Sequence, residues 1–300
     1  MERLGPYRIE AEVGRGGMGT VYRGVDERTG RAVAVKIPNP EVERDPALLK
    51  QFRREMEIGR RLSHPGLVEF LDSAECGRPA IVMEWAEGRP LRQILNGATS
   101  FDQDEAIRIA LEVTDALDYM HGQGVVHRDV KPENIVVDAR GHVKILDFGL
   151  AARRGRQRPA NGTPDYIAPE QVLGKRGDAR SDVYSLGIVL YEMLTGTVPF
   201  SGLNALAVMN ARLRNPATPP RDLDPAISME LNAVICRALE REPKRRYATA
   251  RDFADALTGP VEGGLAGLAA PRTHGVLPYL ALGMLPGSIF ALLLYVASHQ

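Results

Sequence analysis

The stretch "HRDVKPEN" occupies residues 127–134, and beyond a ten-residue gap comes "ILDFG", residues 145–149. Together they supply two carboxylates, Asp129 and Asp147, an ammonium at Lys131 and an amide at Asn134. Metal-assisted phosphoryl transfer needs such a set. One carboxylate must orient an attacking hydroxyl, while an amide and the other carboxylate hold Mg2+ against phosphate oxygens. Taken singly, the first stretch reads as a polar turn and the second as a tight bend. Their order along the chain, behind two further elements, favours the chemical reading.

The first of those elements is "GRGGMG", residues 14–19. It lies between two strand-like runs, where a dinucleotide fold would have a strand and then a helix, so it suits a hairpin lying over phosphates. Alone it is an ordinary glycine-rich turn. The second is Val33-Ala34-Val35-Lys36, which puts an ammonium at the end of an apolar run, where lysine avoids burial unless an anion meets it. Glu55, on a charged segment downstream, is a suitable partner, although most such lysines and glutamates are solvated.

Composition sets the outer bounds. The 300 residues are 44% apolar and 25% charged, enough for one large or two modest domains with a sizeable core. Lys plus Arg and Asp plus Glu balance at 38 each, so no overall field draws the chain to nucleic acid, and no nucleic-acid partner is expected. The two cysteines, Cys76 and Cys236, are far apart, which argues against a zinc site or disulfide framework and fits a reducing compartment. "MERLGPYRIE" lacks an apolar run behind its charges, so no cleavable secretion signal is expected.

Three regimes follow along the chain. Residues 7 to about 83 read as strands, "YRIEAEVG", "TVYRGVDE", "RAVAVKI" and "PAIVMEW", with one charged helix at 46–62. After Gly88 the spacing turns helical: Ala106, Ile109, Val113, Ala116, Leu117 and Met120 recur at three and four residues, behind a capped start at Asp102 and Glu105. "SDVYSLGIVLYEMLTG" is apolar nearly all round and reads as a buried helix. A small β part thus precedes a larger helical one.

With these motifs in place, residues 7–257 resemble the protein kinases, and more closely the eukaryotic-like Ser/Thr kinases of bacteria. The resemblance implies an α+β bilobal fold. A kinase domain would cover 7–258, with a β-rich N-lobe at 7–83, a hinge at 84–88 and a helical C-lobe at 89–258. ATP would lie between the lobes, with Mg2+ or Mn2+ as its metal. Nucleotide contacts are implied for Val13, Gly14, Gly16, Gly17, Gly19, Val21, Ala34, Lys36, Met83, Glu84 and Ala86, Met83 guarding the back of the adenine pocket. Lys36 would hold the α and β phosphates with Glu55 as partner, Asp129 would orient the acceptor hydroxyl, and Asn134 and Asp147 would carry the metals.

Further positions match residue by residue. Lys131 resembles the lysine that Ser/Thr-directed members place beside the transferred phosphate, which implies protein substrates with Ser or Thr acceptors. "GTPDYIAPE", residues 162–170, resembles the family's substrate-docking loop, in which Thr163 would touch the catalytic aspartate and lysine instead of serving as a phosphosite. Glu170 would pair with Arg246, and Asp182 would brace the catalytic loop from the buried helix. Small-molecule kinases of related fold typically lack this segment. The alternative is a pseudokinase scaffold, but such proteins commonly lose one of Lys36, Glu55, Asp129, Asn134 and Asp147, and here all five are present.

Two departures from the family pattern carry expectations. Between Asp147 and Glu170 the hydroxyls are Thr163 and Tyr166, so activity is expected not to depend on phosphorylation there, and Arg128 would lack the phosphate such an arginine commonly meets. The basic run Arg153, Arg154, Arg156, Arg158 is either a solvated face or a docking surface for acidic substrate. Gly59, one turn after Glu55, predicts a loosely held helix, since helical glycine costs about 0.5–1 kcal/mol relative to alanine. Pairing of two N-lobes, a homodimer, would help to seat it.

The tail carries a separate signal. Residues 259–274 read as a flexible Gly/Ala/Pro-rich linker. "GVLPYLALGMLPGSIFALLLYVA", residues 275–297, holds no charge and as a helix would span roughly 34 Å, so a single-pass membrane helix is expected, kinked at Pro278 and Pro286. Arg272 on its N-terminal flank favours a cytoplasmic kinase domain at the cell membrane, acting in signalling there.

Overall fold

The structure, a computed structural model, describes residues 3–74, 79–97, 100–148 and 164–259. Contacts group the chain into two units, Met1–Gly259 and Pro260–Gln300, of which the second lies outside the described residues.

The first part is a six-stranded sheet. Its strands are β1 (Arg3–Leu4), β2 (Tyr7–Arg15), β3 (Gly19–Asp26), β4 (Ala32–Pro38), β5 (Phe70–Ala74) and β6 (Ala80–Glu84), in spatial order β1-β2-β3-β4-β6-β5 with antiparallel neighbours. Helices α1 (Pro40–Arg44) and α2 (Pro46–Gly59) follow β4. Strand β5 carries a register shift between Phe70 and Asp72 in its pairing with β6, and no motif or clean alternation marks it in the sequence.

Alternation along β4 decides where Lys36 goes. Val33, Val35 and Ile37 join a core cluster with Leu4, Tyr7, Ile9, Ala80 and Val82, while Ala34 packs against the other, larger cluster. Side chains two apart share a face, so Lys36 lies on Ala34's side, away from Val35 and Ile37. Helix α2 is started by Asp45, whose side chain accepts from the N–H groups of Ala47 and Leu48, with Pro46 in the first turn. It buries Phe52, Glu55 and Gly59, one stripe at helical spacing. The helix ends at Gly59, short of the expected 62: Arg61 and Leu62 donate to the carbonyls of Ile58 and Gly59, the tighter i→i+3 pattern of a closing turn.

Beyond residue 88 come β7 (Arg89–Pro90), α3 (Leu91–Leu95), α4 (Gln103–Gly122), β8 (Ile135–Val137) and β9 (Val143–Ile145), the three strands forming a small antiparallel sheet. The remaining helices are α5 (Pro169–Val172), α6 (Ala179–Thr195), α7 (Ala205–Arg214), α8 (Pro220–Leu223), α9 (Met229–Ala238) and α10 (Ala250–Thr258). Every residue of α6 from Ser181 to Leu194 is buried, and the helix stops where Gly196 adopts φ 70°, a left-handed cap that favours glycine. A β-rich part and a helical part, in that chain order, are thus both present. Among the described residues no helix is long and apolar enough to cross a membrane. The expected span at 275–297, most of the 259–274 linker, Thr163 and the basic run at 153–158 lie outside the described residues.

Candidate active site

The loop at 127–134 is held from below by one carboxylate. Asp182, fully buried on α6, accepts from the backbone N–H of His127 at 2.8 Å and of Arg128 at 2.7 Å, and its Oδ2 lies 2.8 Å from His121 Nε2. Arg128 has φ 68°, a backbone setting that side chains resist, and this paired anchorage supports it. Arg128 donates from Nε to the Arg176 carbonyl at 3.0 Å and from Nη1 to Val126 at 3.2 Å. On the next residue, Asp129 Oδ2 accepts from Lys131 Nζ at 2.7 Å and Asn134 Nδ2 at 3.1 Å. Asn134 Nδ2 also donates to the Asp129 carbonyl at 2.8 Å, which leaves its Oδ1 as the acceptor end. Desolvation, joined by the negative charge of Asp147, outweighs Lys131 and holds the Asp129 carboxyl above its ordinary pKa.

The second stretch meets the first. His127 accepts from the Asp129 N–H at Nδ1, 3.2 Å, so the ring proton sits on Nε2, which faces the Leu146 carbonyl at 3.1 Å. Leu146 N–H in turn donates to the Asn134 carbonyl at 2.8 Å. Next comes Asp147, at φ 58°. Its Oδ1 is 3.1 Å from Lys36 Nζ, which lies 2.6 Å from Glu55 Oε1. Lys36 is 7% exposed and Glu55 1%, whereas Asp147 is 46% exposed, a carboxylate open to an incoming ion. Burial alone would lower the Lys36 pKa, but the charges of Asp147 and Glu55 more than reverse it and keep the ammonium protonated. Burial pushes Glu55 up to about 7.

Phe148 locks this meeting in place. It is fully buried, stacked on Phe70 with ring centroids 5.3 Å apart, and edge-on to His127 at 6.0 Å. Phe70 also explains Gly59. A Cβ on Gly59 would lie 2.5 Å from the Phe70 ring, so the ring occupies the space a side chain would take. At this position α2 packs against the ring through its glycine. Nothing in the motif pattern pointed to Phe70, since its strand was not seen.

The hairpin residues split by what the fold needs. Gly19 must be glycine, because a Cβ there would stand 2.5 Å from the Ile37 carbonyl oxygen. At Gly14 and Gly17 a Cβ would meet nothing within 4 Å, and at Gly16 its nearest neighbour is the Gly19 oxygen at 3.7 Å. Protein packing does not demand those three glycines, so their bareness suits a ligand laid against the backbone. Val21 pairs with both Gly14 and Lys36, and Ala34 pairs with Met83, in register across the sheet; Val13 is half exposed. Met83 is buried, and Glu84 is tied to Lys144 at 2.6 Å, with Trp85 and Ala86 following it. Gly88, at φ 127°, closes the hinge, where a Cβ would meet the Val137 carbonyl at 2.4 Å.

Glu170 and Arg246 form a buried pair at 2.8 and 2.9 Å, with Ser181 Oγ donating to the same carboxylate. Gln171 Nε2 donates to the Arg128 carbonyl at 3.2 Å, joining this segment to the 127–134 loop. Arg92 on α3, unmarked by any sequence pattern, reaches Glu133 at 2.9 Å, Glu192 at 2.8 Å and the Tyr166 hydroxyl. Among the described residues no three His, Cys, Asp or Glu side chains converge as a metal cage. Mg2+ does not need one: it takes one or two protein oxygens and completes its shell from phosphates and water, and Asn134 and Asp147 are the residues that would hold it.

Residues 7–257 match the family model described as the protein kinase domain. The chain belongs to the protein kinase family. Its kinase relatives include a serine/threonine-protein kinase PknB of Mycobacterium leprae, 39% identical over 258 residues, covering 82% of this chain and 42% of the relative. A probable serine/threonine-protein kinase PknB of Bifidobacterium longum is 37% identical over 283 residues, covering 89% and 41%. Such likeness places the chain with the bacterial Ser/Thr branch of the kinases, and it spans about two fifths of the length of these relatives. Among solved structures, the chain resembles a crystal structure of Rad53 1–466 in complex with AMP-PNP, with a TM-score of 0.72 and 29% identity over 84% of this chain and 64% of that one.

Proposed function

We propose that the chain transfers the γ-phosphate of ATP to Ser or Thr hydroxyls of protein substrates, assisted by Mg2+. The observation that carries this reading is Lys36 Nζ held between Glu55 and Asp147 at 2.6 and 3.1 Å, with Asp147 electrostatically coupled to Asp129. When bound, Mg-ATP supplies the phosphoryl group and the metal charge that offsets its oxygens. The chain's own residues do the rest. Lys36, kept charged by its two carboxylates, presents an ammonium to the α and β phosphates. Asn134 Oδ1 and Asp147 offer the metal its protein oxygens. Asp129 orients the acceptor hydroxyl and takes its proton, a role suited by a raised pKa. Lys131, 2.7 Å from Asp129, places a second positive charge beside the transferred group.

Incubation of the full chain with Mg-ATP and a generic basic protein tests the reading. Phosphate incorporation is expected in the wild type and not in Asp147→Asn. A wild type that quenches its single tryptophan, Trp85 at the hinge, on adding nucleotide yet transfers nothing would favour the scaffold alternative.

Three further parts of the proposal rest on sequence. The kinase domain covers 7–258, a linker runs over 259–274, and 275–297 anchors the domain on the cytoplasmic face of the cell membrane, where it signals; fractionation of cells expressing the chain with and without 275–297 tests this. Thr163 is a structural residue of the substrate-docking loop and not a phosphosite, so activity needs no phosphate in this segment, and Thr163→Ala is expected to lower activity even in protein never exposed to ATP. Pairing of two N-lobes in a homodimer helps to seat the helix that presents Glu55, and activity per molecule that stays flat over a wide dilution series would count against this.

A further inference from the structure

Arg212, on α7, is 1% exposed and among the largest fully buried side chains. A buried guanidinium is costly unless its donors are matched. Two of its donor atoms go to backbone: Nη1 to the Ile167 carbonyl at 2.7 Å and Nη2 to the Asp165 carbonyl at 2.5 Å. The Phe200 ring covers it, 5.4 Å from Cζ to the ring centre, and the Tyr184 hydroxyl of α6 faces it. The carbonyl in between, that of Tyr166, accepts from Ser185 Oγ at 2.7 Å. Three successive carbonyls, 165 to 167, are therefore each gripped by a side chain, the outer two by Arg212 of α7 and the middle one by Ser185 of the buried α6.

That stretch is wired to the catalytic loop on two sides. The Tyr166 side chain meets Arg92, which binds Glu133, the residue before Asn134. Gln171, which also accepts from the Ala168 N–H at 3.1 Å, donates to the carbonyl of Arg128, the residue before Asp129. Shifting the backbone at 165–167 therefore shifts what stands beside the acceptor's catalytic partners. None of the sequence motifs marks Arg212.

Resting on the phosphotransfer reading, we propose that Arg212 is a positioning residue for the acceptor peptide: by pinning the Asp165 and Ile167 carbonyls it sets the form of the segment that receives the residues flanking the acceptor Ser or Thr. Arginine suits the task because its planar fork reaches two carbonyls at once, whereas a lysine ammonium in the same place reaches one well.

The test compares full-length wild type, Arg212→Met and Arg212→Lys on a set of Ser/Thr peptides in which the residue after the acceptor is varied. ATP KM, Trp85 quenching by nucleotide and thermal midpoint are measured in parallel. Arg212→Met is expected to raise the peptide KM about tenfold to a hundredfold and to flatten the preference at the varied position, while ATP KM and nucleotide quenching stay at wild-type values. Arg212→Lys is expected to fall between. Should Arg212→Met fail to fold, Arg212→Lys carries the test alone. Wild-type peptide KM and preference in a folded variant would overturn the proposal. So would peptide and ATP parameters that decline together with the folded fraction, which would reduce Arg212 to a stability residue. A wild type that phosphorylates no peptide would overturn the phosphotransfer reading instead, and this inference with it.

Discussion

Lys36, Glu55 and Asp147 form a buried ammonium between two carboxylates, and each tunes the others. With Glu55 held at about 7, protonation as pH falls below that value leaves Lys36 without its α2 anchor. The expected outcome is a kcat/KM for ATP that declines from pH 8 toward pH 6, measured in initial rates at saturating Mg2+. An acid limb that stays where it is in Glu55→Gln would rule out Glu55 as its origin. At Asp129 the expected loss is of another kind. Asp129→Asn keeps the shape that Lys131 and Asn134 grip but removes the proton acceptor, so kcat should fall about 10²–10⁴-fold with nucleotide quenching of Trp85 retained. Loss of nucleotide binding in that variant would mean that Asp129 is holding the pocket together.

Helix α2 meets β5 through a glycine. Two effects oppose each other at Gly59: alanine gains up to about 1 kcal/mol of helix propensity, while its Cβ, 2.5 Å from the Phe70 ring, forces overpacking that costs about 1–3 kcal/mol. The second is larger. Gly59→Ala is therefore expected to lower the thermal midpoint and to weaken ATP binding by moving Glu55 away from Lys36, and trimming Phe70 to Leu in the same chain is expected to restore both. A more stable Gly59→Ala would mean that propensity wins and that the ring yields freely. Phe70→Ala should cost about 3–5 kcal/mol and release Phe148, which a shallower denaturation midpoint together with lost activity would register.

Across the molecule, the pair formed by Glu170 and Arg246 ties α5 to the turn ahead of α10. Arg246→Met leaves Glu170 buried without its cation, at a cost of about 3–5 kcal/mol read by denaturant melts. Burial alone would raise the Glu170 pKa, but Arg246 and Ser181 hold it below its ordinary value. The stability this contributes is present above the unfolded glutamate's pKa and is lost as pH falls through the depressed folded value. Wild-type stability is thus expected to drop in acid with a component that Glu170→Gln removes, and an unchanged acid profile in that variant would show the pair to be inert.

The chemistry was legible in the sequence because catalytic carboxylates, lysines and glycines occur there in a fixed order with short local spacings, and because helical and strand periods repeat within a few residues. The strand-rich first part, the buried α6 and the two stretches that carry Asp129, Asn134 and Asp147 follow from such local signals, whereas the partnering of Lys36 with Glu55 and the role of Lys131 are implied by the resemblance to the protein kinases. Tertiary structure alone decided that Lys36 and Asp147, 111 residues apart, stand at 3.1 Å, that Phe70 fills the space over Gly59, and that Arg212 grips the carbonyls of Asp165 and Ile167. These contacts join residues distant along the chain and depend on side-chain volume and donor geometry, which leave no periodic trace in the sequence.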